Sequence, residues 1–207
     1  MEIKVNDIAV DISGRKVFSN VSFEMKKGEM VAITGPSGCG KTTLLNCLGM
    51  IKTVDYGKIM INGKNVTKYK DKEKTKFWHD YATFIYQDYG IIEDASVAYN
   101  VTLDKYKMNS DKVQKILKKV GLEGRNNELA IVLSGGEKQR IGIARAIFKN
   151  ATVIYADEPT ASLDVKNREL VIELLRQCAK KGAIVVLATH DERLVNECDR
   201  IIDMNQF

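Results

Sequence analysis

Residues 30–43 read MVAIT followed by GPSGCGKTT, and this stretch decides the fold. Met30 to Thr34 is an apolar run of strand length. Gly35-Pro36-Ser37-Gly38-Cys39-Gly40-Lys41-Thr42 then fits the pattern GxxxxGK[ST], with Thr43 behind it. Leu44, Leu45 and Leu48 follow at helical spacing. Strand, glycine loop and helix in that order make a phosphate cradle. Glycines at 35, 38 and 40 let the main chain approach phosphate oxygens where side chains would collide. Successive amides and the helix N-terminus supply positive potential there. Lys41 is placed to reach β- and γ-phosphates, and the Thr42 hydroxyl to ligand Mg²⁺. The loop implies a nucleoside triphosphate but no class, since GTPases, kinases and motor ATPases share it.

On the N-terminal side, Ile8, Val10 and Ile12 alternate, as do Val21, Phe23 and Met25, and Lys27-Gly28 supplies a turn. Downstream, Ile59 and Ile61 sit in a strand closed by Asn62-Gly63, and Tyr81 to Tyr86 is an aromatic-rich strand. Asp111 to Val120 has a helical stripe of Val113, Ile116, Leu117 and Val120, with Ser110 as cap and Gly121 as stop. Ser134 opens a second helix. Strand and helix then alternate: Val153–Ala156, a helix through Val171 to Cys178, Ala183–Thr189, a short helix over Asp191–Cys198, and Arg200–Met204. Buried apolar strands between amphipathic helices predict a parallel sheet covered on both faces. The expected architecture is α/β in one 207-residue domain. Residues 1–88 and 151–207 form the core, which begins with antiparallel strands, and residues 89–150 form a helical insertion.

Composition sets limits. Hydrophobic residues are 44% and charged residues 29%, values of an ordinary globular chain. The opening MEIKVNDIAV has no signal-peptide pattern, and runs such as Ala183–Ala188 are far below the roughly 20 residues that cross a bilayer. Cys39, Cys47, Cys178 and Cys198 have neither CxxC nor metal spacing and read as reduced cytosolic thiols. Much of the +5 net charge falls in Lys64–Lys76, KNVTKYKDKEKTK. That run reads as a solvated loop, with anionic lipid or nucleic acid as the less favoured alternatives.

Two further segments carry chemistry. Val153-Ile-Tyr-Ala-Asp157-Glu158 is an apolar strand ending in adjacent carboxylates. An acid at that strand end faces the crevice where ligands sit in open α/β sheets. Asp157 can hold Mg²⁺ through water, and Glu158 can polarise a water for in-line attack on a γ-phosphate. Leu133-Ser134-Gly135-Gly136-Glu137-Lys-Gln-Arg140 forms a second anion nest at a helix start. One ATP does not need two nests from one chain. A head-to-tail dimer does, each nucleotide lying between the phosphate loop of one copy and the serine-glycine nest of the other.

The set GPSGCGKT, LSGGE, VIYADE and a downstream histidine resembles the ATP-binding subunit of ABC transporters over about residues 2–204. IYQDYGIIEDASVAYNV and LSGGEKQRIGIARAI are most similar to ATPases of lipoprotein-releasing, macrolide-exporting and bacteriocin-exporting systems. The resemblance implies a P-loop NTPase core of the RecA-like kind and an inserted helical signature subdomain. It also implies ATP and Mg²⁺, and a homodimer seated on an integral membrane permease at the inner face of the cell membrane. It implies that Gln87 touches Mg²⁺ and the attacking water, that Asp88–Asn100 lines the groove receiving the permease, and that Ser162-Leu163-Asp164 crosses the dimer interface. Asp164 reads equally as a helix cap. His190, closing the strand AIVVLAT, matches the histidine that contacts the γ-phosphate, whereas His79 has no assignment.

Three positions depart from the family pattern. Ile12 stands where an adenine-stacking aromatic is common, so the base contact is expected to be aliphatic or to come from Phe18. ELAIV lacks the proline that often precedes the signature, and Glu137 replaces glutamine. The expected function is ATP hydrolysis driving export of a peptide, antibiotic or lipid-linked substrate. The alternative is mechanical regulation of a membrane partner, as in cell division, without transport. Soluble relatives acting on DNA or ribosomes carry coiled-coil insertions or a tandem domain for which this chain has no room, so no nucleic acid partner is expected.

Overall fold

The computed structural model describes residues 1–161 and 163–207. The chain opens with two long antiparallel strands, β1 (Glu2–Ile12) and β2 (Arg15–Lys26), followed by β3 (Met30–Thr34) and α1 (Lys41–Leu48). Next come β4 (Tyr56–Ile61), β5 (Lys64–Asn65), α2 (Asp71–Asp80) and β6 (Ala82–Ile85). The middle is helical: α3 (Val97–Thr102), α4 (Asp111–Lys119) and α5 (Gly135–Lys149). The chain closes with β7 (Val153–Asp157), α6 (Val165–Lys180), β8 (Ile184–Ala188), α7 (Glu192–Asn196) and β9 (Arg200–Asp203).

Two sheets result. One is antiparallel in the order β2-β1-β4-β5, and the other is parallel in the order β6-β7-β8-β3-β9. Alternation in the parallel strands splits the core, because successive side chains leave opposite faces. Val31, Ile33, Tyr155 and Val186 pack with α1 and the antiparallel sheet. Met30, Ile154, Val185 and Leu187 pack with the helices from α3 to α6. Strands covered on both sides need apolar residues at every position, and β7 and β8 are buried throughout. The Tyr155 hydroxyl, fully buried, donates to the Leu48 carbonyl at 2.9 Å, and burial pushes its pKa up.

The strand order puts the β3 and β7 C-termini on one edge of the sheet, with β8 between them. The C-terminal ends of these strands and the loops after them carry the phosphate loop, Asp157-Glu158 and His190. Over residues 64–76 the structure departs from the sequence patterning. Residues 64–76 are not one solvated loop: β5 takes the first two, and α2 begins at Asp71. The four cysteines are free thiols, and burial raises Cys47 to about 12.

Candidate active site

The loop between β3 and α1 bends through positive φ at Gly35 (139°), Gly38 (80°) and Gly40 (101°), the region that side chains strain. A Cβ on Gly40 would also stand 2.7 Å from Val17 Cγ1. The α1 N-terminus has no side-chain cap and no acid in its first turn, so its amides are left for an anion. Lys41 is almost buried and donates to the Gly35 carbonyl (2.8 Å) and the Pro36 carbonyl (3.0 Å). These bonds hold the ammonium at the loop mouth, among groups that a phosphate oxygen can replace. Cys39 Sγ packs under Gly35, while Ser37, Thr42 and Thr43 open to the cleft.

The Thr42 hydroxyl donates to Asp157 Oδ1 at 3.1 Å. Burial pushes the Asp157 carboxyl above the usual range, and the Thr42 hydrogen bond opposes this. Hydroxyl and carboxylate oxygens are hard donors and fit Mg²⁺, which usually keeps waters and substrate phosphates as its other ligands. Among the described residues no three acidic, histidine or cysteine side chains gather as a closed metal site. One hydroxyl and one carboxylate leave most positions around such a cation to phosphate and water oxygens.

Glu158 follows at φ 45°, left-handed for a residue with a side chain, and its amide donates to the Ala188 carbonyl at 2.8 Å. Its carboxylate accepts from the Thr189 hydroxyl (3.2 Å) and from the His190 amide (3.4 Å), and lies 2.8 Å from His190 Nδ1. The exposed imidazole thus sits beside a largely covered carboxylate. A cleft of about 430 Å³ joins these groups, with Gln87 on its wall just past β6.

The end of the cleft near Ile12 corrects one expectation. Phe18 is 1% exposed and packs in the core, so it offers no ring to a ligand. Ile12, 44% exposed, and Val17 line the cleft there. Val17 and Thr189 are site residues that the motifs do not mark.

Ser134, Gly135, Gly136, Glu137 and Asp164 do not line this cleft. They form a second cluster at the N-termini of α5 and α6. Ser134 and Glu137 close a capping box: the Ser134 amide donates to Glu137 Oε2 at 2.8 Å, and the Glu137 amide to Ser134 Oγ at 3.4 Å. Arg125 pairs with the other Glu137 oxygen. Burial raises the Glu137 carboxyl, but the Ser134 bonds and the Arg125 charge together outweigh it and hold the pKa below the usual range. Asn167, against Gly136, donates its amide to Asp164 Oδ1 at 2.9 Å and accepts from Arg140. The Asn167 amide is the first cause that lowers the Asp164 carboxyl. Tyr89 lays its hydroxyl over Gly135, where a Cβ would come within 2.4 Å. Ser162 lies outside the described residues.

A larger groove, about 870 Å³, is walled by α2, β6, residues 101–107 and the end of α5. None of residues 88–100 is in the wall of this groove. Asn100 is buried and turned inward, holding the Ile92 amide (2.9 Å) and carbonyl (2.8 Å), while Tyr86 and residues 101–104 on either side face the groove.

A parallel sheet with a glycine-rich phosphate loop after β3, an acid pair at the end of β7 one strand removed from it, and an inserted capped helix defines a P-loop NTPase of ATP-binding-cassette type. Residues 18–161 match the family model described as ABC transporter, and the chain belongs to that family and is an ATPase of its kind. It is 36% identical to the lipoprotein-releasing system ATP-binding protein LolD of Bacteroides fragilis, covering 98% of this chain and 97% of that one. It is 35% identical to the macrolide export ATP-binding/permease protein MacB of Vibrio parahaemolyticus over 91% of this chain, and spans 30% of that protein's length. In structure it resembles the ATP-binding cassette MJ0796, solved as a dimer in a post-hydrolysis state bound to ADP and Pi. That match has TM-score 0.86 and 30% identity, covering 97% of this chain and 93% of that one.

Proposed function

We propose that two copies of this chain close head to tail around two ATP molecules and drive a membrane permease. The observation that carries this reading is the division of one chain's anion-binding groups into two clusters. The phosphate loop, Asp157, Glu158 and His190 share a cleft, and Ser134, Gly135, Gly136, Glu137 and Asp164 lie outside it. A second copy supplies the missing half to each nucleotide.

In each site the amides of residues 35–43 cradle the phosphates, and Lys41 exchanges its loop carbonyls for β- and γ-phosphate oxygens. Thr42, Asp157 and Gln87 would hold Mg²⁺, which when bound would neutralise phosphate charge. Glu158 takes the proton of a water whose oxygen attacks the γ-phosphorus, while the bond from that phosphorus to the β–γ bridging oxygen breaks. His190 holds the Glu158 carboxylate in place and contacts the γ-phosphate. Ile12 and Val17 cover the base by aliphatic contact. Protein groups contribute positioning and charge here, with no covalent intermediate on the chain.

Residues 89–150 act as the signature-bearing arm on a core of residues 1–88 and 151–207, and the 870 Å³ groove beside it receives the cytoplasmic segment of the permease. No helix among the described residues is long and apolar enough to cross a membrane, so such a permease would hold the chain on the inner face. The relatives named for macrolide export and lipoprotein release support an exported peptide, antibiotic or lipid-linked cargo.

The test is Glu158→Gln. It is expected to bind ATP, release no phosphate and elute as an ATP-bound dimer. A monomer with ATP bound refutes the shared site, and wild-type turnover refutes the base. In vesicles holding the permease, ATPase stimulation without cargo movement would assign the chain to mechanical regulation instead.

A further inference from the structure

Residues 64–76 hold six lysines against Asp71 and Glu73, a net +4 in a chain whose total is +5. Lys64, Lys68, Lys70 and Lys72 are exposed and Lys74 is half-buried. Among the described residues only Lys76 pairs with a carboxylate, Asp80 at 2.9 Å. The nearby acids are engaged within the helix. Glu73 accepts from the Lys70 amide at 2.9 Å, Asp71 sits in the first turn against the positive end of α2, and Asp80 also takes His79. Lys72 and Lys76 are one turn apart on α2, and Lys68 and Lys70 lie in the segment that leads into it. The same helix gives Thr75, Trp78 and His79 to the wall of the 870 Å³ groove. On the reading that a membrane permease seats in that groove, the uncompensated charge borders the contact that holds the chain against a bilayer.

We propose that Lys68, Lys70 and Lys72, with their neighbours in this run, form a contact surface for anionic phospholipid headgroups. The residue types favour a lipid surface over nucleic acid. The run has no arginine for bidentate base contacts. Its one aromatic, Tyr69, packs against the core, so it offers no stacking platform. Mobile point charges suit a diffuse anionic layer, where each lysine is worth about fivefold in partitioning.

The experiment is co-sedimentation of the full chain with phosphatidylcholine vesicles, with and without phosphatidylglycerol, at low salt. Binding is expected only with phosphatidylglycerol and is expected to disappear as salt shortens the Debye length. The triple variant Lys68→Gln/Lys70→Gln/Lys72→Gln should partition about 100-fold more weakly, with ATPase rate and melting temperature unchanged. Equal binding to both vesicles, or an unaffected triple variant, overturns the proposal. So does tighter, lysine-dependent binding to a duplex or single-stranded oligonucleotide. The vesicles carry no protein, so failure here leaves the groove reading standing, and failure to co-purify a permease leaves the lipid result standing.

Discussion

Glu137 is where the signature departs from glutamine, and the structure gives its charge a local task. In Glu137→Gln the amide oxygen can still accept from the Ser134 amide, so the capping box survives in neutral form. Two contributions are lost. A carboxylate in the first turn of a helix stabilises by about 0.3–1 kcal/mol. An ion pair of this exposure, 29% for Arg125 and 22% for Glu137, contributes about 0.5–1 kcal/mol. The variant should be less stable by about 1–2 kcal/mol, a fall in melting temperature of about 3–6 °C for a chain of this length. Glu137→Ala removes the capping acceptor too and should cost about 1 kcal/mol more. The pH dependence has a definite sign. The folded-state pKa is lowered, so the stabilisation is fully present above the ordinary glutamate value of about 4.3 and is lost progressively as pH falls below it and through the lower folded-state pKa. Urea titrations of wild type, Glu137→Gln, Arg125→Ala and the double variant, at neutral pH and near pH 4, measure both terms. Equal stability of wild type and Glu137→Gln at neutral pH, or additive single variants, would refute the assignment.

Other consequences are equally direct. Lys41→Ala should weaken ATP binding by about 10- to 100-fold, since charge-assisted bonds contribute about 1.5–3 kcal/mol; calorimetric titration showing unchanged affinity would remove Lys41 from the cradle. Asp157→Asn should melt higher than wild type without nucleotide at neutral pH. Its raised pKa makes the charged form costly in the fold, a penalty that appears as pH rises past about 4 and fades below it. A variant melting no higher at neutral pH counts against that burial. Ile12→Trp should tighten ATP binding by about threefold to tenfold through stacking on the base. Unchanged affinity would mean that the adenine lies elsewhere.

The features legible in sequence were those carried by contiguous residues. Phosphate loop, signature and acid pair announce themselves because amide cradles and strand-end carboxylates need neighbours in the chain. The double-covered sheet was legible because β7 and β8 are apolar at every position. What was hidden depended on irregularity or distance. In β2, Asn20 takes φ 57°, and the side-chain alternation slips around it, so Phe18 turns inward and Val17 faces the cleft. Strict alternation back from Val21 would have done the reverse. The helix α2 was masked by its lysines, since its one buried residue, Phe77, comes near its end and leaves no stripe to count. Arg125 stands 12 residues before Glu137, across a turn, and no local spacing rule joins them. The 870 Å³ groove draws on α2, β6 and α5, elements brought together only by packing.

The left-handed backbone at Glu158 sets stability against turnover. Holding a side chain at φ 45° costs about 1–2 kcal/mol, which glycine would not incur. A library randomised at this position and screened only for heat resistance should therefore enrich glycine and asparagine, folded proteins that no longer release phosphate. A screen for activity would return the acid in spite of its strain. The position thus separates what selection for a durable fold would write from what selection for hydrolysis requires.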